Sequence, residues 1–496
     1  MSYERRIPMK KVLSLILSLM LLMGIMPGMA AAENLPEETL VVVFPYLNKA
    51  PVDIEEVENA LSEITLSKIN ARVKLMPIAY GAWSEQFNLL MTGNEQVDLI
   101  VTALTNTSLS AKVSKGYLLE LDELLDKYGK GTKEVLGDFV VGGTVNGKTF
   151  ALPTLRDMAT SAGLMIMKSY VDKYNIDISA IHDWSDLTPV LKTIKEGEGD
   201  GFYPLFLNAA QYTSLTSVYS DNLGDFLGTL EHGNEESGKI INRFEEPAYR
   251  ELIELIHSWY EAGYINPDAA VTQILWQEAA KSGTCACWPN NAKPGQDKNQ
   301  SSMIGQELVL AHIGTDEVNT SGLQTCMWSI AYNTIDAERS MMLLNLMYTD
   351  ADVFNTMNWG IEGKHYVFTD DGHITFPEGV DNQNCGWYIN LGWVLGNQFL
   401  SHIWTDYDLN YWEVMSDFNK TAKVSPAAGF AFDSTNVKNE YAACQSVINE
   451  YKIAIETGTV DLSKLDEMNE KLYASGLQKI LDEKQAQYDA FLAASK

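Results

Sequence analysis

The stretch from Gly142 to Thr149 (Gly-Gly-Thr-Val-Asn-Gly-Lys-Thr) fits the phosphate-loop pattern GxxxxGK[ST]. That chemistry needs a helix directly after the Lys, so that the first amides of the helix face the phosphates. Phe150-Ala151-Leu152-Pro153 follows instead. Asn146-Gly147 reads as a tight hairpin turn joining Thr144-Val145 to Lys148-Thr149-Phe150. Nucleotide binding at Lys148 is therefore not expected. Cys285-Ala286-Cys287 is half of a zinc pattern, but no second Cys pair or His follows at zinc spacing, so a structural role is expected. The seven His are scattered. Glu362 and Asp157 would have to lie on either side of a glycosidic bond to act as an acid/base pair, and spacing in sequence does not supply that distance.

Aromatic residues carry more information. There are 11 Trp and 23 Tyr. Several Trp fall where loops are expected: Trp83 at a helix start, Trp288 beside Pro289, Trp359 before Gly360, and Trp393 between glycines. Sugar rings present apolar C–H faces that stack on indole, and hydroxyls that need Asp, Glu, Asn or Arg partners. The aromatic set is compatible with a carbohydrate cleft, and equally with large side chains filling cores.

The elements that must position these residues alternate. Leu40 to Phe44 is a continuous apolar run, as in a strand buried on both faces. Asp53 stands where a helix would be capped, ahead of a stripe of Val57, Leu61 and Ile64. Ala71 to Met76 alternates as a strand, Trp83, Phe87 and Leu90 repeat at helical spacing up to Gly93, and Val97 to Val101 is the next apolar run. This rhythm predicts βαβ units and a parallel sheet. A second α/β region begins near Pro153, with a strand at Leu164 to Met167 and helices at Trp184 to Ile194 and Tyr249 to Ala262. Asn290 to Ser302 is polar, with Pro294 and Gly295, and reads as a surface loop. After an apolar run at Trp328 to Tyr332, a helix resumes at Ala337 to Tyr348. From Val437 a helical face of Tyr441, Cys444, Ile448, Tyr451 and Ile455 runs to Gly458, and helices over Asp461 to Tyr473 and Leu477 to Leu492 follow.

Residues 1–32 read as a secretory signal: Arg5, Arg6, Lys10 and Lys11, an apolar run from Val12 to Ile25, then Ala30-Ala31-Ala32 before Glu33. Met9 would also serve as a start. The apolar run is shorter than the roughly 20 residues that span a bilayer. No Cys follows it, so a lipid anchor is not expected. The formal net charge of −30 repels phosphate backbones, which argues against nucleic acid as a partner. Five Cys are too few for a disulfide scaffold, and the odd count leaves at least one unpaired in a monomer.

Five motifs in order carry a resemblance. They are Ser67 to Lys74 (Ser-Lys-Ile-Asn-Ala-Arg-Val-Lys), Val145 to Pro153 (Val-Asn-Gly-Lys-Thr-Phe-Ala-Leu-Pro), Trp359 to Val367 (Trp-Gly-Ile-Glu-Gly-Lys-His-Tyr-Val), Gly429 to Asp433 (Gly-Phe-Ala-Phe-Asp), and Ala474 to Ile480 (Ala-Ser-Gly-Leu-Gln-Lys-Ile). The resemblance they carry runs from about Leu40 to Leu492. With them the chain resembles the extracellular solute-binding proteins of carbohydrate ABC importers, in the subgroup with a C-terminal domain of unassigned function. The resemblance implies an α/β, two-lobe fold of the periplasmic-binding-protein type II kind, an interlobe ligand cleft and a helical C-terminal extension. It implies lobe 1 over 38–152 plus about 329–362, lobe 2 over 153–328 plus about 363–436, and a helical segment over 437–496 packed on the lobes. The lobes would close on ligand and dock on a permease. Asp157 matches where relatives place a cleft carboxylate, with Arg156 beside it. Tyr46 and Trp83 would face ligand from the first lobe, and Trp328, Trp359, Glu362 and Trp393 from later crossings. The implied partners are an oligosaccharide or other small solute and the transmembrane subunits of the permease. No cofactor is implied, and a monomer is expected.

Overall fold

Leu40 to Phe44 is apolar throughout because its strand, Glu38–Tyr46, lies inside a five-stranded sheet. Ala71–Ala79 and Leu99–Val101 flank it in parallel, and Met327–Ile330 and Leu152–Pro153 extend the sheet on the Leu99 side. The computed structural model describes residues 35–494 except 48, 103–108, 210–214 and 217–220; the expected signal and its cleavage site lie outside the described residues. Helix Ile54–Ile69 buries Val57 and Leu61 against the sheet and ends on Asn70 at φ 48°, a conformation Asn tolerates. Asp98 is buried in this lobe, but its carboxylate accepts from Val41 N at 2.7 Å and from Thr334 Oγ1 at 2.6 Å. Those bonds offset the cost of burying the charge and tie the returning chain to the first strand.

The second lobe is built on Thr160–Met167, with Cys287–Ala292 and Leu308–Val318 antiparallel on its two sides and Lys423–Val424 beyond. Its core takes in the helices Leu187–Glu198 and Pro247–Glu261. The C-terminal helices Lys438–Glu456, Ser463–Ala474 and Leu477–Ala494 pack into this same core: Cys444, Ile448 and Ile455 lie with Tyr249, Ile253 and Trp259. The C-terminal segment is therefore a layer of the second lobe. The two-lobe α/β architecture is the one expected.

The chain passes between the lobes at 154–159, again at 319–326, and a third time around helix Tyr411–Thr421. Two boundaries differ from expectation. Met327 and Trp328 already belong to the first sheet, so the second crossing falls earlier than the 328/329 split. Trp387, Ile389, Leu391, Val394 and Leu395 pack into the first core, although 363–436 was expected in lobe 2. Their sequence carries no strand or helix periodicity, and only long-range burial places them.

The phosphate-loop lookalike is a hairpin. Thr144–Val145 pairs with Lys148–Thr149, with Asn146 at φ 51° and Gly147 at φ 76° in the turn. Lys148 pairs with Glu120 at 2.6 Å. Asn290 to Ser302 is not a loop. Its first residues end the strand Cys287–Ala292 and its last form the helix Gln296–Ile304, entered through Gly295 at φ 73°. Polar residues there had suggested solvent, but they face a cavity.

Candidate functional site

Between the lobes lies a cavity of about 400 Å³, within the range of small-molecule sites. One wall comes from the first crossing and the second lobe: Arg156, Asp157, Lys293, Gln296 and Asn299. The cavity also has an aromatic lining: Trp359, Trp393, Trp404, Tyr407, Tyr411 and Trp412. Asn358, Asn390, Gln398 and His402 add polar groups between the rings.

Asp157 is the electrostatic centre. Lys293 Nζ pairs with its Oδ2, and Arg156 Nη1 lies 3.4 Å from its Oδ1. Burial pushes the carboxyl up, but the Lys293 ammonium and the Arg156 guanidinium together hold it below the usual carboxylate range. Arg156 also donates from Nη2 to the Gly322 carbonyl at 2.8 Å, binding the first crossing to the second. Asn419, buried on helix Tyr411–Thr421, accepts from the amides of Met158 and Ala159, both at 3.0 Å, and donates to the Arg156 carbonyl. The third crossing thus sets the backbone on both sides of Asp157.

The aromatic wall is built by mutual support. Trp359 ends the helix Ala351–Trp359, donates from Nε1 to Ser401 Oγ at 2.9 Å, and meets Trp404 edge-on at 5.3 Å. Trp412 donates to the Ser401 carbonyl at 2.8 Å, and Tyr411 packs between Trp412 and Tyr407. Gly295 is required here: a Cβ would come within 2.9 Å of the Tyr411 ring. Asn299 Nδ2 donates to Tyr407 Oη at 2.8 Å, joining the polar wall to the aromatic one. Aromatic rings beside a fixed set of polar groups suit a ligand with both apolar faces and hydroxyls.

Of the residues singled out from sequence, Arg156, Asp157, Trp359 and Trp393 line the cavity. Trp83 does not. Its helical stripe with Phe87 and Leu90 turns it into the first core, where it is 1% exposed. Trp328 is likewise enclosed in its strand, and its Nε1 donates to the Val394 carbonyl at 2.7 Å. Tyr46 is half-buried at the end of its strand and off the cavity. Glu362 is exposed on the turn after Gly360 and, unlike Asp157, is not among the residues lining the cavity. An Asp held low is also the wrong group to act as a general acid. Trp288 sits in a strand, buried, stacked on Trp276 at 4.9 Å.

Sequence reasoning misses Lys293, Gln296 and Asn299, because their polar stretch has the composition of a surface loop. It also misses Trp404, Tyr407, Tyr411 and Trp412. A signal for these existed: five aromatic rings fall between Phe399 and Trp412. All five Cys are free and buried, and burial pushes the Cys285 and Cys326 thiols up to about 12. Among the described residues no group of three or more His, Cys, Asp or Glu is placed to hold a metal.

Two lobes joined by crossings, with a cavity at the crossings, define a two-lobe solute-binding protein. Residues 426–493 match the model of a domain of unknown function (DUF3502). The chain is 28% identical, over 95% of its length and 96% of the relative's, to a carbohydrate ABC transporter substrate-binding protein of Streptococcus pneumoniae. A polygalacturonan/rhamnogalacturonan-binding protein of Bacillus subtilis is 20% identical over 79% of this chain and 80% of its own. Among solved structures, an N-glycan transport solute-binding protein from Streptococcus pneumoniae superposes with a TM-score of 0.78 at 26% identity, covering 92% of this chain and all of that one. The resemblance seen in the motifs therefore extends along the fold: over 92–95% of its length the chain is similar to a carbohydrate ABC transporter substrate-binding protein and to an N-glycan transport solute-binding protein.

Proposed function

We propose that this protein captures a neutral oligosaccharide of the N-glycan class in the interlobe cavity and presents it to an ABC permease. The observation that carries the reading is one cavity at the lobe crossings lined by both the ion-paired Asp157 and a set of indole and phenol rings. The preference for a neutral sugar follows from charge. Arg156 and Lys293 share the single carboxylate of Asp157, and the chain as a whole carries −30. Asp157 offsets one of these two cations, so the neutral preference rests on the negative field of the whole chain, which repels a uronate on approach. Man5GlcNAc, the ligand in one structure of the similar N-glycan transport solute-binding protein, is uncharged. Ligand touching both walls favours the closed arrangement by its differential affinity for that state.

Residues 1–32 are proposed to direct export, with the mature chain beginning at Glu33 and acting as a monomer outside the membrane. N-terminal sequencing of the secreted protein checks the cut; a chain starting before Pro27 would contradict it.

The binding reading is tested by calorimetric titration with Man5GlcNAc, Man1GlcNAc and an oligogalacturonate, with thermal unfolding in parallel. Binding of the mannosyl glycans should raise the unfolding temperature, as ligand selective for the folded state must. No new reducing ends should appear. Tighter binding of the oligogalacturonate would refute the neutral preference, and turnover of any of the three would refute the carrier role.

A further inference from the structure

Trp359 stands in the aromatic wall as the last residue of its helix, and the loop after it closes on one buried side chain, His365. The Ile361 amide donates to His365 Nδ1 at 2.9 Å, and the His365 amide donates to the Ile361 carbonyl at 2.9 Å. Because Nδ1 accepts, the ring proton sits on Nε2, which donates to Asp53 Oδ2 at 3.0 Å. The imidazole also fills the space beside Gly360, at φ 81°, where a Cβ would come within 2.4 Å of Nδ1. Asp53 is fixed in turn: its amide and that of Val52 donate to the Gly386 carbonyl at 3.2 and 2.9 Å. A neutral imidazole thus ties together the helix end that bears Trp359, the start of the first-lobe helix, and the turn before Trp387.

We propose that His365 is a positioning residue that holds Trp359 in the cavity wall while neutral and loosens it when protonated, so that glycan binding weakens in acid. The inference rests on the reading of the cavity as the glycan site. Protonation places an N–H on Nδ1, pointing at the Ile361 N–H, and turns a hydrogen bond into a clash of donors. The charged groups facing the ring are Asp53 and Glu56 from the first-lobe helix and Lys364 from its own loop. Asp53 favours the imidazolium, but it already pairs with Lys364 Nζ at 2.9 Å. The neighbouring Cys385 thiol is pushed up by burial and stays neutral. Burial also holds the imidazole below its ordinary value, against the pull of Asp53. The change therefore falls on the acid side of about pH 6.5, the unperturbed imidazole value.

The test uses the full chain labelled with indole ¹⁵N, the Trp359 Nε1–H resonance being assigned with Trp359→Phe. On acidification this resonance should move in one transition that is absent in His365→Gln, which keeps a donor for Asp53 but cannot titrate. With Man5GlcNAc as probe, affinity should fall about fivefold from neutral to mildly acidic pH, the worth of about one hydrogen bond, in the parent protein and not in His365→Gln. Should His365→Gln fail to fold, Asp53→Asn serves: it removes the charge that favours the imidazolium, so the transition should move to lower pH. A Trp359 resonance that is flat with pH, or that titrates alike in His365→Gln, would overturn the proposal. If Man5GlcNAc binds at no pH, the glycan reading fails, while the indole titration still decides whether His365 controls Trp359.

Discussion

Lys293, at the end of a second-lobe strand, reaches the carboxylate of Asp157 on the first crossing, 136 residues away in sequence. The pair spans a hinge segment and a lobe, so its geometry reports how the lobes sit, and a ligand hydroxyl entering there meets polar groups that are already oriented.

Asp157→Asn should weaken glycan binding about 10- to 100-fold, because two cations lose their shared counter-charge in a mostly buried site. Lys293→Met should cost less, since Arg156 still faces the carboxylate. Calorimetric titration of both variants gives the order. The sign with pH is fixed as well. The folded-state value of Asp157 lies below its ordinary one, so its contribution is complete above about pH 4 and is lost only as pH falls through the folded value. Any weakening in milder acid must come from another group.

Trp393 is half-buried and packs against the first core, with its carbonyl held by Thr154 Oγ1 at 2.9 Å. Trp393→Ala should lower affinity by about 1–3 kcal/mol, the scale of a lost stacking ring, with a smaller loss of stability. Trp359, only 5% exposed, should behave differently. Trp359→Ala is expected to cost about 3–5 kcal/mol of stability as a core truncation would, together with affinity. Chemical denaturation and titration of the same variants separate the two.

Glu456 is buried in the C-terminal layer, where its carboxylate accepts from Thr216 Oγ1 and Tyr249 Oη at 2.8 Å and from Lys452 at 2.9 Å. Burial pushes the carboxyl well above its ordinary value and pushes Lys452 down to about 7. Glu456→Ala removes the acceptor for three donors and should cost about 3–5 kcal/mol. Glu456→Gln keeps an acceptor and should cost far less. Urea unfolding measures both, and equal losses would show that packing, not the acceptor, matters there.

Lys148→Ala should leave glycan binding and stability unchanged, since Lys148 lies on an exposed hairpin and pairs, among the described residues, with exposed Glu120. ATP affinity that disappears in this variant would contradict the hairpin reading.

The sequence alone determined what depends on local periodicity. The apolar runs of the first strands, the stripe of helix Ile54–Ile69, the Asn146-Gly147 hairpin and the buried face of helix Lys438–Glu456 were all legible, because each records which side of one element avoids water. Motif order was enough to point to the two-lobe type. Tertiary structure alone decided which aromatic rings face the cavity. Trp83 and Trp328 are as large and apolar as Trp359 and Trp393, and a side chain's type does not say whether the surface it meets belongs to a core or to a ligand. The polar stretch Asn290 to Ser302 looked like a solvent-exposed loop for the same reason: a wet cleft and bulk water ask for the same residues. The contacts that shape the site, Lys293 with Asp157 and His365 with Asp53, join residues 136 and 312 positions apart. No periodicity links such partners; they meet only once the crossings have brought the lobes together.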